Sequence, residues 1–362
     1  MLKKIKDWIE VRIGLDELVR TQLREYRVPK NVNIFYTLGF VAVVAYMIQA
    51  LTGFFLLVYY VPHSEHAFRS VQDIMTKVPY GWLFRQMHVV GGNLMVIVLI
   101  LHLLAVLFMG SYKKPRELTW VSGGLMLATV FLFCLTGFLL PWSQLGYWAT
   151  TIVTSMPAVF PYVGDFVANL LRGGDHVSGP TLNRFFALHI ALLPPILVAL
   201  MGFHLFLIRR IGISSAPFGE SGEESGPWVG YRHEQHHGQP FYPHFFLKEG
   251  FMCMVYLAVM FFFITFMPTF FTPADANIQA DPLRTPAHIR PEWYFLAPYQ
   301  MLKLIPNKFL GISVQVIFVA VFLLWPFIDT REKKNILKRP FLLTVILCGL
   351  TLWAALTFWG RY

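Results

Sequence analysis

FRQMHVVGGNLMVIVLILHLLAVLFM, residues Phe84 to Met109, is an apolar run long enough to cross a bilayer, with His88 near one end and His102 near the other. Histidine has no cheap way to sit in hydrocarbon, so two in one run need an explanation. Fourteen residues of helix rise about 21 Å and return to within roughly 40° of the starting azimuth. Both imidazoles therefore sit on nearly one face, close to opposite membrane surfaces.

A second run repeats the arrangement. RFFALHIALLPPILVALMGFHLFLI, residues Arg184 to Ile208, carries His189 and His204 fifteen apart, about 22 Å of rise with an offset near 60°. With one crossing between them the two runs are parallel. His88 should then face His189 at one depth, and His102 should face His204 at the other.

A lone intramembrane histidine reads as a packing residue bonded to a serine, threonine or carbonyl of a neighbouring helix. Four in matching register read as ligands. Zinc gathers its ligands at one locus, whereas these pairs lie far apart. Low-spin haem iron with two axial histidines fits better. Glycines support this independently: Gly39 and Gly53 on one run and Gly123 and Gly137 on another are each fourteen apart, so each porphyrin could pack against a helix with no side chain in the way. Small-residue helix packing is the plainer reading of such glycines. Arg85 and Arg184, each shortly before an outer histidine, suit haem propionates or lipid headgroups.

Composition sets the class. The 362 residues are 56% hydrophobic and 14% charged, which reads as an all-α polytopic membrane protein, since barrel strands would alternate. The net charge of +10 sits mostly between apolar spans as a topology signal, not a nucleic-acid surface. Cys134, Cys253 and Cys348 lie inside apolar runs with no CxxC or CxxCH, and read as small buried hydrophobes.

Residues 1–30 read as an interfacial amphipathic helix on the cytoplasmic face, with no cleavable signal. Seven spans are expected near 33–60, 82–109, 119–140, 183–208, 246–267, 308–328 and 340–359, the first four forming a di-haem four-helix bundle. Cations concentrate after the even spans, which keeps the N-terminus inside and sends the C-terminus outside. The domains expected are thus 1–30, a four-span unit over 31–210, an inner linker over 211–245 and a three-span unit over 246–362. Two long outer loops, 141–182 and 268–307, are apolar but Pro/Gly-broken and suit a roof over a pocket beside the outer pair. His233, His236, His237 and His244 in the linker form a tempting metal cluster, but read as plain polar residues.

The two histidine pairs, the paired glycines, KKPRELTW (113–120), LPWSQLGYWA (140–149) and PEWY (291–294) together resemble cytochrome b of Rieske/cytochrome b complexes, over nearly the whole chain. VNIFYTLGF, the fifteen-residue spacing, RRIGIS and IPNKFLG resemble the b6f branch, with cytochrome b6 and subunit IV fused. Two features depart from that branch. Thr37 stands where b6f proteins carry the cysteine that tethers an extra haem, so no covalent c-type haem is expected. YPHFFLKEGF (242–251) resembles the mitochondrial-type inner quinone segment, with Lys248 and Glu249 matching in charge type.

The resemblance implies two bis-histidine haems b, held by His88 with His189 (outer) and His102 with His204 (inner). It also implies quinol oxidation at the outer face, divided between a Rieske iron–sulfur protein and the haem chain, and quinone reduction inside, coupled to proton translocation. Glu292, carboxylate of an otherwise apolar RPEWYFLAP, is the expected proton acceptor, with Tyr294 ordering the pocket; a structural pair with Arg290 is the plainer role. Arg209, Lys248 and Glu249 are the expected inner quinone residues. The implied partners are a Rieske protein, a cytochrome c-type acceptor, a second copy of the complex and a prokaryotic inner membrane. A di-haem anchor without bifurcation and a proton-coupled transporter are the competing readings.

Overall fold

The computed structural model describes residues 1–218, 238–287 and 289–361. Its helices are α1 (Leu2–Ile13), α2 (Leu15–Val19), α3 (Leu38–Tyr59), α4 (Ala67–Thr76), α5 (Gly81–Phe108), α6 (Glu117–Leu139), α7 (Gln144–Ser155), α8 (Gly164–Arg172), α9 (Gly179–Ala187) and α10 (Leu193–Ile211). Phe246–Phe266, Leu296–Leu304, Lys308–Leu323, Trp325–Ile328 and Pro340–Gly360 follow. Among the described residues, six helical stretches are long and apolar enough to cross a membrane: Ile34–Tyr59, Gly81–Phe108, Glu117–Leu139, Gly179–Ile211, Phe241–Phe266 and Pro340–Gly360. Their outward faces are apolar, with Leu51, Phe54, Phe203 and Phe206 exposed, as a hydrocarbon solvent allows.

The span expected at 308–328 is broken. Lys308–Leu323 is a 16-residue helix, and Trp325–Ile328 is a separate short one. Pro326 has no N–H to continue the ladder. The Phe322 carbonyl, which loses the donor that residue 326 would have supplied, accepts from Trp120 Nε1 of α6 at 2.9 Å.

α3 packs along α5, and α6 along α10, while Phe246–Phe266 covers α3 and α5. Val41, Val90, Val96, Val130, Met260 and Tyr294 are among the buried residues of the core they share. Within Gly179–Ile211 the hydrogen-bond ladder widens into a π turn over Leu188–Leu192, just before Pro194 and Pro195. The two prolines cannot donate to the carbonyls one turn back, and the turn that loosens contains His189.

The N-terminal segment is helical and leaves Ile5, Trp8, Val11 and Ile13 exposed, an apolar stripe suited to a membrane surface. Beyond it, β1 (Arg27–Val28) pairs antiparallel with β2 (Gln239–Pro240), so the segment after the linker is tied to the start of the chain. Of the linker histidines, His233, His236 and His237 lie outside the described residues; His244 is exposed.

A buried charge cluster ties the turn after α5 to the segment before Pro340. Asp329 accepts from Lys113 Nζ at 2.8 Å, from Arg339 at 2.8 and 2.5 Å, and from the Tyr112 hydroxyl. Side chains of the three charged residues are 4–7% exposed. These cations hold the Asp329 carboxyl well below its ordinary range although burial opposes them. Its stabilising contribution is therefore present above the ordinary carboxylate pKa and is lost only as pH falls below it. Asp329→Ala leaves two buried cations without their anion, so we expect a loss of about 3–5 kcal/mol, read as a lowered melting temperature in detergent. An unchanged melting temperature would show that the cluster carries no such load.

Candidate functional site: two histidine pairs and the 291–294 turn

His88 and His189 face each other with ring centroids 6.3 Å apart and planes at 68°. Two imidazoles on opposite sides of one metal, at about 2 Å per bond, put their centroids roughly 6–6.5 Å apart. The pair is therefore spaced for a shared ion, and is too far apart for a direct hydrogen bond. His102 and His204 form the second pair, close enough to act on one another electrostatically.

Three of the four histidines are oriented by a hydroxyl of the facing helix. Thr52 Oγ1 lies 3.0 Å from His88 Nδ1, Thr136 Oγ1 lies 3.0 Å from His189 Nδ1, and Ser122 Oγ lies 2.8 Å from His204 Nδ1. These are the hydroxyl bonds that a plain packing role predicts, but they use only Nδ1. No partner among the described residues takes Nε2, so the second nitrogen of each ring is available as a ligand.

The glycines explain how the rings come so close. A Cβ on Gly53 would stand 3.3 Å from His88 Cε1, on Gly39 3.2 Å from His102 Cε1, on Gly123 3.4 Å from His204 Cε1, and on Gly137 2.7 Å from His189 Cε1. The reversed order of partners shows that α3 runs antiparallel to α5. Each glycine directly faces a histidine ring, where a side chain would intrude. Thr52, Ser122 and Thr136 were missed by sequence reading, yet each immediately precedes one of the spaced glycines, and that dipeptide was the available signal.

The loops over 141–182 and 268–307 are clamped together. Ser143 bridges Gln279, Gln144 N–H donates to Ile278 O at 2.8 Å, and Asp281 N–H donates to the Gln144 side chain at 2.8 Å. Trp293 Nε1 donates to Asn93 Oδ1 at 2.9 Å, pinning the 291–294 turn to α5 five residues beyond His88. Asn93 is buried, and sequence reading gave it no role. Tyr294 is 6% exposed, edge-on to Trp293 and Phe295, with Cys134 of α6 against its hydroxyl. Burial pushes the Glu292 carboxyl up to about 7. No ion pair among the described residues joins it to Arg290.

At the far end of α10, the Arg209 guanidinium lies 4.0 Å from the Tyr26 ring centroid and 5.9 Å from that of Phe241. One of its terminal nitrogens is buried without a partner. Glu249 is buried within electrostatic reach of Arg209. Lys248 is exposed and donates to Val32 O at 3.4 Å. Arg85 is half-buried and acts electrostatically on His88. Arg184 is exposed, packed over Gly173 and donating to Pro180 O at 3.3 Å. Thr37 is fully buried, its hydroxyl donating to Ile34 O at 2.6 Å.

Residues 23–212 match the family described as Cytochrome b/b6/petB, and 279–362 match Cytochrome b(C-terminal)/b6/petD. Cytochrome b of Rickettsia conorii is 38% identical over 93% of this chain and 81% of its own length. That of Rhodospirillum rubrum is 36% identical over 93% and 80%. A solved chain of a hyperthermophilic respiratory Complex III superimposes with a TM-score of 0.89 at 37% identity, covering 98% of this chain and 91% of that one. Two imidazole pairs with free Nε2 atoms in apolar helices suit haem b. The chain is thus an integral membrane protein belonging to the cytochrome b family, the haem b subunit of Complex III, a quinol–cytochrome c oxidoreductase.

Proposed function

We propose that His88 with His189, and His102 with His204, would hold two haems b, and that the chain oxidises quinol at an outer site and reduces quinone at an inner one. The observation that carries this is the 6.3 Å separation of the outer imidazoles with Nδ1 of both rings already engaged. Haem b supplies a one-electron carrier at each depth. The first four crossings act as the di-haem bundle, and the broken 308–328 segment counts as a seventh crossing. That places the C-terminus outside and the N-terminus on the cytoplasmic side of a prokaryotic inner membrane. Fusion of b6-like and subunit IV-like parts is our reading of VNIFYTLGF, RRIGIS and IPNKFLG, and the Lys113–Asp329–Arg339 cluster packs the two parts together. The buried, bonded Thr37 hydroxyl supports the expectation of no thioether haem.

In the outer pocket Glu292 accepts a quinol proton, and Tyr294, wedged among aromatic rings, shapes the apolar wall beside it. Quinol gives one electron to a Rieske protein and the other inward along the histidine pairs. At the inner face Arg209 offers a donor to quinone, Glu249 exchanges protons, and Lys248 lies at the rim. Arg85 suits a propionate beside His88; Arg184 suits the outer surface equally. A cytochrome c-type subunit and a second copy of the complex complete the assembly. The docked 291–294 turn favours bifurcation over a simple di-haem anchor.

Division of electrons has a signature. With the inner site blocked, a pulse of oxidant to the quinol-reduced complex should drive b-haem absorbance toward the reduced form. Absence of that response, with both haems present, contradicts bifurcation. A second expectation concerns packing: Gly137→Ala places a methyl 2.7 Å from His189 and should lower outer-haem content, whereas Gly123→Ala at 3.4 Å is ordinary contact and should be tolerated. Pyridine haemochrome assays of the two variants read this directly. Equal haem loss in both would mean that glycine clearance does not set occupancy.

A further inference from the structure

Three of the four histidines meet a hydroxyl in the same way. Thr52, Ser122 and Thr136 each precede the glycine under a ring and bond its Nδ1. Each gives its own proton to a carbonyl one turn back, Thr52 to Ile48 at 2.7 Å, Ser122 to Thr119 at 3.0 Å and Thr136 to Leu132 at 2.8 Å. The hydroxyl oxygen is therefore left to accept from Nδ1–H. The fourth position holds Leu38, before Gly39. A Cβ on Gly39 would stand 3.7 Å from both Nδ1 and Nε2 of His102, much as one on Gly137 would stand 3.3 and 3.5 Å from those of His189, whose Nδ1 Thr136 does meet. His102 thus sits where a hydroxyl at position 38 would meet it. Among the described residues no hydroxyl bonds His102, and the neighbouring Phe35 carbonyl takes the Leu38 N–H.

A ligating imidazole that gives its second N–H to an acceptor is the more basic ligand. Greater basicity favours the oxidised iron and lowers the reduction potential. Both outer histidines have such acceptors, but only His204 of the inner pair does. We propose that Leu38 is a positioning residue for the inner haem's potential: by withholding an acceptor from His102, it makes the inner site the easier to reduce and slopes electron flow from outer to inner. The inference rests on the bis-histidine reading.

Redox titration of the α-band in the intact complex tests it. The inner step is identified as the one that His204→Ala removes. Leu38→Thr should shift the inner step roughly tenfold toward the oxidised form, about 59 mV lower for a one-electron couple, and leave the outer step in place. Leu38→Ser, smaller still, should do the same and serves if the threonine variant does not assemble. Thr52→Val should move the outer step the opposite way. Two intact haems with an unmoved inner step in the position-38 variants, or a shift of the outer step instead, overturns the proposal. Fewer than two b haems in the unaltered complex would overturn the bis-histidine reading beneath it.

Discussion

Replacing His189 by alanine is expected to leave the purified chain with one haem b instead of two and to stop electron transfer from the outer pocket. In the proposed pairing this imidazole would hold one side of the outer haem, and residues 185–200 carry no other histidine, cysteine or methionine. His88 would keep Thr52 at its Nδ1 but would have no opposing donor 6.3 Å away. The remaining haem should titrate as a single step and should disappear in turn from a His189→Ala/His204→Ala variant. Retention of two haems in His189→Ala would mean that another residue ligates the outer site, and the pairing of His88 with His189 would fall.

Glu292→Gln should lower quinol oxidation by about 10²–10⁴-fold, the usual contribution of a positioned general base, with both haems retained. Burial places this carboxyl at about 7. As a proton acceptor it works only when ionised, so the rate should rise as pH climbs through about 7. Glutamine cannot titrate, and its residual rate should be flat over that range. Glu292→Asp keeps the charge but shortens the reach, and should restore the pH dependence better than the rate. A glutamine variant with the unaltered rate and profile would assign proton removal elsewhere.

Much of this architecture was legible because hydrocarbon is an intolerant solvent. Apolar runs of membrane length, and histidines that have no reason to be inside them, gave the spans and the two pairs directly from spacing. Fourteen-residue repeats of glycine marked the facing helices, and the Cβ distances add that each glycine lies under a histidine ring. The hydroxyls at 52, 122 and 136 were harder to read, since serine and threonine in membrane helices bond their own backbone routinely. Long-range partners left no periodic trace. Nothing local to Asn93 announces Trp293, two hundred residues away, and nothing near Lys113 announces Asp329. The break before Pro326 was visible as a residue type, but a proline in an apolar run is compatible with a kinked span as well as a split one.

The most direct test of the four-histidine account is haem stoichiometry: a reduced-minus-oxidised spectrum of the purified chain with pyridine haemochrome quantification, before and after acid–acetone extraction. Two haems b per chain, both extractable, are the result expected from two imidazole pairs and a buried Thr37 that cannot form a thioether. One haem, none, or a covalent residue left after extraction would contradict it.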